Sequence, residues 1–258
     1  MSDLRDPGYR EVMMSTSTRD RIDAFRAQGF FIMRAFLDIA ERAELRRACD
    51  AALLRTRALS RETGHSTPSI SLLTDGATCF QDDPCALELI SAFVGSRRVC
   101  ELLAGLSRAG AGEGEEDAPR LKDAHYYHEQ TRRDWDGDWH RDSQFGQSDP
   151  EIERAIVATT TSVHFRVALE DDDRLEIVPG SHARWDTPDE LRIRRGADRT
   201  TPHMPNAARV ALRAGDACIF HAWSIHRATY LRAPPRRTID ALYTFARPTV
   251  RRWALPAI

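Results

Sequence analysis

The first half of the chain carries apolar residues at the three- and four-residue spacing of amphipathic helices. The pattern is helical from Thr18 to about Ala58, with apolar positions at Ile22, Phe25, Leu45, Cys49, Ala52 and Leu53. The segment Gly29–Met33 interrupts it and predicts a short strand between two helices, because a glycine is followed there by a continuous apolar run. Residues 82–108 are predicted to be helical again, with an apolar stripe formed by Leu87, Ile90, Phe93, Val94, Leu102 and Leu103.

After Pro119 the pattern changes to short runs of strand-forming residues separated by turns. These runs are Leu121–His128, Thr159–Leu169, Leu175–Val178, Arg209–Leu212, Ala217–Phe220 and Thr238–Phe245. A helical half followed by short strands predicts an α+β fold in which helices back a β-sandwich or barrel. We therefore expect one domain over residues 1–258, with a flexible tail at 1–18, mainly helical support at 19–118 and a β core at 119–250.

Charge and composition argue against several classes of protein. The 258 residues include 37 basic and 39 acidic ones, so bulk charge does not favour a nucleic-acid or membrane-surface partner. No apolar run reaches the roughly 18 residues of a membrane span, and the polar first 20 residues lack the apolar core of a signal peptide. The five cysteines are scattered without a CxxC pair, which indicates reduced thiols and a cytoplasmic protein. The glycine- and acid-rich segment Ala109–Asp117 predicts a surface loop.

Candidate metal chemistry begins with the pair His140 and Asp142. Side chains two residues apart on an extended backbone lie on the same side, so both can reach one metal ion while Arg141 points away. A distant second histidine would complete the 2-His-1-carboxylate triad of non-haem iron(II) oxygenases. Two histidines compete for that place, His221 and His226.

The neighbours of these two histidines decide between them. If both lie on one extended strand, their five-residue separation makes them face opposite sides. His226 would share its side with Ala222 and Ser224, whose small side chains leave room for a metal and a substrate. His221 would lie among bulky residues, Ile219, Trp223 and Ile225. We therefore expect His226 to be the metal ligand and His221 to be a core histidine.

Arg237 lies 11 residues after His226 and begins an apolar strand face that continues through Ile239, Ala241, Tyr243 and Phe245. An arginine at the end of such a face needs an anion or water, because a buried unpaired charge is costly. Its guanidinium group can pair with a carboxylate through two hydrogen bonds. We expect Arg237 to bind a dicarboxylate cosubstrate and Arg236 to point to solvent. The alternative is that both are surface arginines.

Three segments together resemble the phytanoyl-CoA dioxygenase-like (PhyH) family of iron(II)/2-oxoglutarate-dependent oxygenases. They are Trp139–Asp142, Leu175–His182 and Gly215–His226. In that family the third segment is a strand that begins at Gly-Asp and ends at the distal metal histidine, ten residues past the aspartate, and His226 meets this spacing. The family's 2-oxoglutarate arginine lies about eleven residues further on, which matches Arg237.

The resemblance implies a double-stranded β-helix (jelly-roll or cupin-like) core backed by the N-terminal helices. It also implies that His140, Asp142 and His226 are the catalytic metal ligands for Fe(II), that Arg237 binds 2-oxoglutarate, and that O2 is the second cosubstrate. Halogenases of this fold lack the carboxylate, so Asp142 favours hydroxylation of an unactivated C–H bond in a small molecule, with release of succinate and CO2. Desaturation or ring formation by the same iron centre is the alternative.

Two alternatives from other classes remain, a non-catalytic cupin-like metal-binding protein and a zinc hydrolase. Lys122 is the only lysine, which indicates a GC-rich bacterial source and suggests a substrate from specialised metabolism. The chain departs from the family at Asp171–Arg174, where Asn-Gly is common. At the second position after the distal histidine, the family often has a small or hydroxyl residue that helps to bind 2-oxoglutarate. Ala228 occupies that position here and Thr229 follows it, so part of the 2-oxoglutarate contact has no assigned residue. His182 is structural in the family.

Four further residues are candidates for the pocket wall. The run Val163–Leu169 has apolar odd positions that are expected to pack on helices, which leaves His164 and Arg166 to face the barrel interior and contact substrate or cosubstrate. An edge strand whose polar face is solvated is the alternative. Tyr126 and His128 share a face of the strand that leads toward His140, and we expect similar contacts from them.

Overall fold

The computed structural model describes residues 17–65, 68–108, 118–128, 134–145 and 149–245. Residues 1–16 of the predicted tail (1–18) and the predicted loop at 109–117 lie outside these ranges, whereas Ser17 and Thr18 belong to the start of the first helix. Within them, the helices are α1 (Thr18–Gln28), α2 (Ile39–Thr63), α3 (Gly76–Cys79), α4 (Pro84–Val94), α5 (Arg97–Arg108), α6 (Pro150–Thr159) and α7 (Pro188–Arg195). The strand predicted between the first two helices is β1 (Phe30–Met33). Helix α2 runs five residues past Ala58, and helices α3, α6 and α7 were not predicted.

Local sequence signals explain where the first helices begin and end. The side chains of Ser17 and Asp38 accept hydrogen bonds from the third residues of α1 and α2, and both helices have a complete capping box. Gly29 ends α1 with a φ of 84°, a left-handed conformation that favours glycine. A Cβ at this position would lie 2.5 Å from Nδ1 of His182, so the backbone of Gly29 packs directly on that buried ring.

Two antiparallel sheets form the β core. Its strands after β1 are β2 (Ile70–Leu72), β3 (Arg120–Tyr127), β4 (Trp135–Asp136), β5 (Thr161–Ala168), β6 (Asp172–Ile177), β7 (Ala208–Leu212), β8 (Ala217–His221), β9 (His226–Tyr230) and β10 (Thr238–Phe245). The larger sheet has the order β1-β8-β5-β10-β3-β2, and the smaller has the order β4-β9-β6-β7. The α+β prediction of helices backing a β core is confirmed.

The larger sheet buries both of its faces. Its outer face packs against the helices through a cluster that includes Val163, Phe165, Val167, Ile239 and Ala241, together with Phe25, Leu45, Ile90 and Leu103. Its inner face meets the smaller sheet through a second cluster of Phe30, Ile32, Ala168, Leu175, Ile177, Val210, Leu212, Cys218 and Phe220. The apolar odd positions of β5 therefore pack on the helices as predicted, and its even positions face the space between the sheets.

The segment that carries His221 and His226 differs from the single strand that the sequence predicted. Strand β8 ends at His221 in the larger sheet, and β9 begins at His226 in the smaller sheet. The intervening turn includes a backbone bond from Ser224 N–H to the carbonyl of His221. The chain thus crosses from one sheet to the other between the two histidines. Among the described residues, no helix combines the length and apolar character needed to cross a membrane.

Candidate metal centre

Backbone pairing brings the two candidate histidines together. His140 forms an isolated antiparallel bridge with His226, in which each backbone N–H donates to the other's carbonyl at 2.9 Å. Two residues later, Asp142 opens a 3-10 turn (Asp142–Gln144), and its N–H donates to the carbonyl of Ala222 at 3.1 Å. The triad is therefore assembled from the start of β9 and from a segment that pairs with it.

The three side chains converge on one point. Oδ1 of Asp142 lies 3.4 Å from Nε2 of His140 and 3.5 Å from Nε2 of His226, and the three potential ligand atoms all lie within 4.8 Å of one another. Nδ1 of His140 lies 2.7 Å from the carbonyl of Asp138, and Nδ1 of His226 lies 2.9 Å from that of Ser224. Because a carbonyl only accepts, each Nδ1 carries the proton and each Nε2 presents a lone pair. Two imidazoles and a carboxylate suit a divalent transition metal such as iron(II).

Burial and neighbouring charges set the protonation of His226 and Asp142. Burial, assisted by the nearby His140, lowers the pKa of His226 to about 3, which keeps its imidazole neutral. Burial disfavours the charged form of Asp142, but the positive charge and hydrogen bond of His164 hold the pKa of that carboxyl well below its usual range. Neutral imidazole and ionised carboxylate are the forms that bind a metal.

His164 lies beside the triad and joins it to a buried ion pair. Its Nε2 is 2.8 Å from Oδ2 of Asp142, and its Nδ1 is 2.6 Å from Oδ1 of Asp240. Arg166 donates to the other oxygen of Asp240 from Nε at 2.6 Å and also from Nη2. Burial disfavours the imidazolium, but Asp240 and Asp142 raise the pKa of His164 to about 9. The structure therefore brings His164 to the triad and places Arg166 two residues further along the same inner face.

Arg141, between His140 and Asp142, points away from them as predicted and anchors this segment in a buried polar network. Its guanidinium donates to the carbonyls of Ser181 at 2.9 Å and of Trp223, and to Oδ1 of Asp186 from Nε at 2.8 Å and Nη2 at 2.6 Å. Asp186 also accepts from Arg194, and all three charged side chains are fully buried. The network ties the triad segment to the turn before β9 and to helix α7.

The structure does not bring Arg237 to the triad. Its strand face continues through residues such as Ile239, which pack on the helices outside the larger sheet. Its Nη1 donates to the carbonyls of His128 at 3.0 Å and Arg236 at 2.8 Å, and its Nε lies 3.4 Å from a carboxylate oxygen of Asp50 in α2. The apolar strand face on which the sequence placed Arg237 is thus the outer face of the larger sheet, which packs on the helices.

Arg236 is a correction, because the prediction that it points to solvent is wrong. Its side chain is fully buried, its Nε donates to Oδ2 of Asp172 at 3.0 Å, and its guanidinium lies 4.8 Å from the centre of the Tyr127 ring. It precedes Thr238 and Asp240, which belong to the inner side of β10, so alternation along the strand directs it inward.

Tyr126 and His128 are a second correction. The hydroxyl of Tyr126 donates to Oδ1 of Asp50 in α2 at 2.9 Å, and Nε2 of His128 lies 3.0 Å from the hydroxyl of Ser71 in β2. Tyr126 therefore contacts helix α2 and His128 contacts the edge strand β2, and neither of these bonds leads to the triad. Tyr127, between them, has the inward orientation, since its ring lies 5.3 Å from the guanidinium of Arg166.

Sequence reasoning missed two residues near the triad. Asp240 is the only acidic residue of β10. This could have marked it as a residue of the site, although its partners depend on strand register.

Phe145 is the second missed residue. It is 66% exposed, and its ring centre lies 5.1 Å from that of His140. His221 lies elsewhere, buried and stacked on Phe25.

Comparisons with known proteins identify the family. A family model described as phytanoyl-CoA dioxygenase (PhyH) matches residues 25–239, so the chain belongs to that family, which uses iron(II), 2-oxoglutarate and O2. The predicted resemblance and the predicted cofactors are confirmed at this level. A comparison with curated proteins finds no match.

Solved structures show the same fold. AviO1 from Streptomyces viridochromogenes Tue57 is 19% identical with a TM-score of 0.61, covering 92% of this chain and 99% of that chain. HygX from Streptomyces hygroscopicus, with nickel and 2-oxoglutarate bound, is 15% identical with a TM-score of 0.59, covering 90% and 88%. EvdO2 from Micromonospora carbonacea var. aurantiaca, complexed with 2-oxoglutarate, is 17% identical with a TM-score of 0.57, covering 95% and 96%. The predicted double-stranded β-helix is confirmed.

Proposed function

We propose that this protein is an iron(II)- and 2-oxoglutarate-dependent dioxygenase that hydroxylates an unactivated C–H bond of a small molecule, with release of succinate and CO2. The observation that carries the proposal is the convergence of Nε2 of His140, Oδ1 of Asp142 and Nε2 of His226 on one point. Membership of the phytanoyl-CoA dioxygenase family supports the same chemistry.

The protein's own contribution is to hold the three proposed ligand side chains and to orient them toward one point. The backbone carbonyls of Asp138 and Ser224 fix the two imidazole rings, so that both Nε2 atoms face the same point as the carboxylate. Three ligands on one face of a metal ion leave its other positions open to cosubstrates. When bound, iron(II) and 2-oxoglutarate supply the oxidising chemistry, and the pocket determines which C–H bond lies within reach.

Two arginines compete to bind the far carboxylate of 2-oxoglutarate. Arg237 has the spacing that the sequence favoured, but its guanidinium lies on the helix side of the sheet, with Asp50. Arg166 lies on the inner face, where it shares Asp240 with His164. Its Nη1 is buried and has no hydrogen-bond partner among the described residues, and the same holds for Nε of Arg237, so the two arginines differ in the face of the sheet on which they lie. A buried unused donor favours an anionic ligand. We therefore assign this contact to Arg166.

Kinetics of two variants separate these candidates. Arg166→Lys keeps the charge beside Asp240 but cannot reproduce the planar fork, so it should raise the KM for 2-oxoglutarate by about tenfold or more. Arg237→Lys is the matched control and should leave that KM within about threefold. An increase confined to Arg237→Lys would return the assignment to Arg237.

The substrate is expected to enter beside Phe145, the exposed ring next to His140. We infer an organic small molecule of bacterial specialised metabolism. The fold neighbour SnoN supports this setting, since it is an α-ketoglutarate-dependent epimerase from nogalamycin biosynthesis, 18% identical with a TM-score of 0.55. The same neighbour shows that this fold also carries epimerisation, so the product must be analysed for isomers as well as for oxygen insertion.

Release of succinate tests the proposed reaction. Purified protein supplied with iron(II), 2-oxoglutarate and O2 should form succinate, and candidate substrates should accelerate it. Mass spectrometry then distinguishes hydroxylation by a gain of one oxygen atom, desaturation or ring formation by a loss of two hydrogens, and epimerisation by an unchanged mass. Metal binding without succinate from any substrate would favour a non-catalytic cupin-like protein. His221→Ala is the control, because this buried histidine lies outside the triad.

A further inference from the structure

The geometry points to His164 as a positioning residue that fixes Asp142 as a ligand through one oxygen only. The inference rests on the proposed function, in which Asp142 binds the metal. The two oxygens of Asp142 have different environments: Oδ1 lies 3.4 and 3.5 Å from the Nε2 atoms of His140 and His226, whereas Oδ2 lies 2.8 Å from Nε2 of His164. One oxygen thus faces the metal point, and the other is held by a ring that is not a ligand.

This division has a chemical consequence for the metal centre. A carboxylate can bind a metal through one or both oxygens, and binding through both would fill a position that a cosubstrate requires. For both oxygens to bind, the carboxylate of Asp142 would have to rotate toward the metal. The hydrogen bond from His164 to Oδ2 opposes this rotation, since Oδ2 would have to leave His164 in order to reach the metal. His164 therefore keeps coordination positions open.

The ring of His164 is itself held on three sides. Phe220 on the neighbouring strand β8 stacks on it, with ring centres 4.4 Å apart and planes 5° from parallel. Its Nδ1 is bound to Asp240, which Arg166 clamps across the β5–β10 pairing. Rotation of the imidazole would break both the stacking and the bond to Asp240. The device is thus rigid and spans three adjacent strands of the larger sheet.

Three substitutions of His164 separate the effects of its bond to Asp142, its bond to Asp240 and its stacking on Phe220. His164→Gln places an amide donor near the position of Nε2 and keeps the bond to Asp142. His164→Asn places its donor near the position of Nδ1 and keeps the bond to Asp240 alone. His164→Phe keeps a ring stacked on Phe220 and removes both bonds. If the bond to Asp142 is what matters, glutamine should rescue the site, whereas asparagine and phenylalanine should not.

Cobalt(II) bound to the full chain is the probe, because its visible spectrum reports the number of ligands and its affinity is measured by calorimetry without turnover. His164→Phe and His164→Asn should bind cobalt(II) about 10- to 100-fold more weakly and shift the spectrum. His164→Gln should stay within a few-fold of wild type and keep the wild-type spectrum. Circular dichroism should confirm that each variant is folded before affinities are compared.

The outcomes separate this inference from the proposed function. Wild-type cobalt(II) affinity and spectrum in His164→Phe, or equal losses in the glutamine and phenylalanine variants, would overturn the positioning role even if wild type releases succinate. If the affinities follow the expected order but no succinate forms, the positioning role stands and the oxygenase proposal fails. Absence of cobalt(II) binding by wild type would overturn both.

Discussion

Asp186 offers the sharpest test of the buried network beneath the metal centre. Its Oδ1 accepts from Nε and Nη2 of Arg141 at 2.8 and 2.6 Å, and its Oδ2 accepts from Nε and Nη2 of Arg194 at 2.9 and 2.5 Å. All three side chains are fully buried. Asp186→Asn would leave two guanidinium groups facing one neutral amide, whose NH2 group opposes one of them donor to donor.

Loss of one partner from a buried ion pair costs about 3–5 kcal/mol, because the remaining charge is left without compensation. At about 1.4 kcal/mol for each factor of ten, the unfolding constant should rise between roughly 100-fold and several thousand-fold. With an m-value of about 3 kcal/mol/M, the urea midpoint should fall by about 1 to 1.7 M. Glu153 also binds Arg194, at 2.9 Å, which favours the lower half of this range.

Urea unfolding followed by circular dichroism measures this change. The control is Arg192→Ala, because Arg192 is an exposed residue of helix α7, which also carries Arg194.

Burial raises the pKa of Asp186, but Arg141 and Arg194 lower it further, so the folded-state pKa lies below the unfolded one. The stability that Asp186 contributes is therefore present above about pH 4 and is lost as the pH falls through the folded-state value. The difference between wild type and Asp186→Asn should narrow below pH 4. A midpoint shift no larger than that of Arg192→Ala, or a difference that is independent of pH, would refute the reasoning.

The remaining predictions concern the triad and one glycine. Asp142→Gly should abolish hydroxylation and open a position where chloride can bind, which product analysis in chloride buffer would show; full activity would contradict its role as a ligand. His226→Ala should abolish iron(II) binding measured by calorimetry, whereas His221→Ala should retain it, and the reverse result would make the assignment wrong. Gly29→Ala should lower the melting temperature and cost at least about 1 kcal/mol, because its φ of 84° is strained for alanine and the Cβ would meet the ring of His182; an unchanged melting curve would contradict this close packing.

The two histidines at the ends of the turn between β8 and β9 show what local sequence can and cannot predict. The prediction selected His226 by assuming one continuous strand, on which residues five apart face opposite sides. The structure separates His221 and His226 through a turn between two sheets. The composition of the neighbouring residues still favoured His226, because small side chains such as Ala222 and Ser224 occur where the chain turns. The crossing itself depends on long-range pairing with His140, which no local pattern encodes.

Arg236 and Arg237, which precede β10, also show that local sequence cannot predict a feature that depends on the rest of the fold. Alternation correctly grouped Arg237 with Ile239 and Ala241, and it correctly separated Arg236 from them. Which of the two groups faces the pocket depends on what covers each side of the sheet. Helices cover the outer side, so the apolar group packs there, and the polar group, which includes Asp240, faces inward. In β5 the orientation of both sides was predicted correctly, because the polar His164 and Arg166 alternate with the apolar Val163, Phe165 and Val167.

The triad joins segments that are far apart along the chain, since His140 and His226 are 86 residues apart in sequence. On the proposed assignment, no short fragment contains all three ligands, so only the folded protein would bind the metal tightly. A ligand present at 100 times its dissociation constant adds about 2.7 kcal/mol to folding stability. That is slightly less than the lower limit of the loss of about 3–5 kcal/mol expected from Asp186→Asn. The lifetime of this protein in a cell would therefore follow the supply of iron, with proteases removing it faster when the metal is scarce.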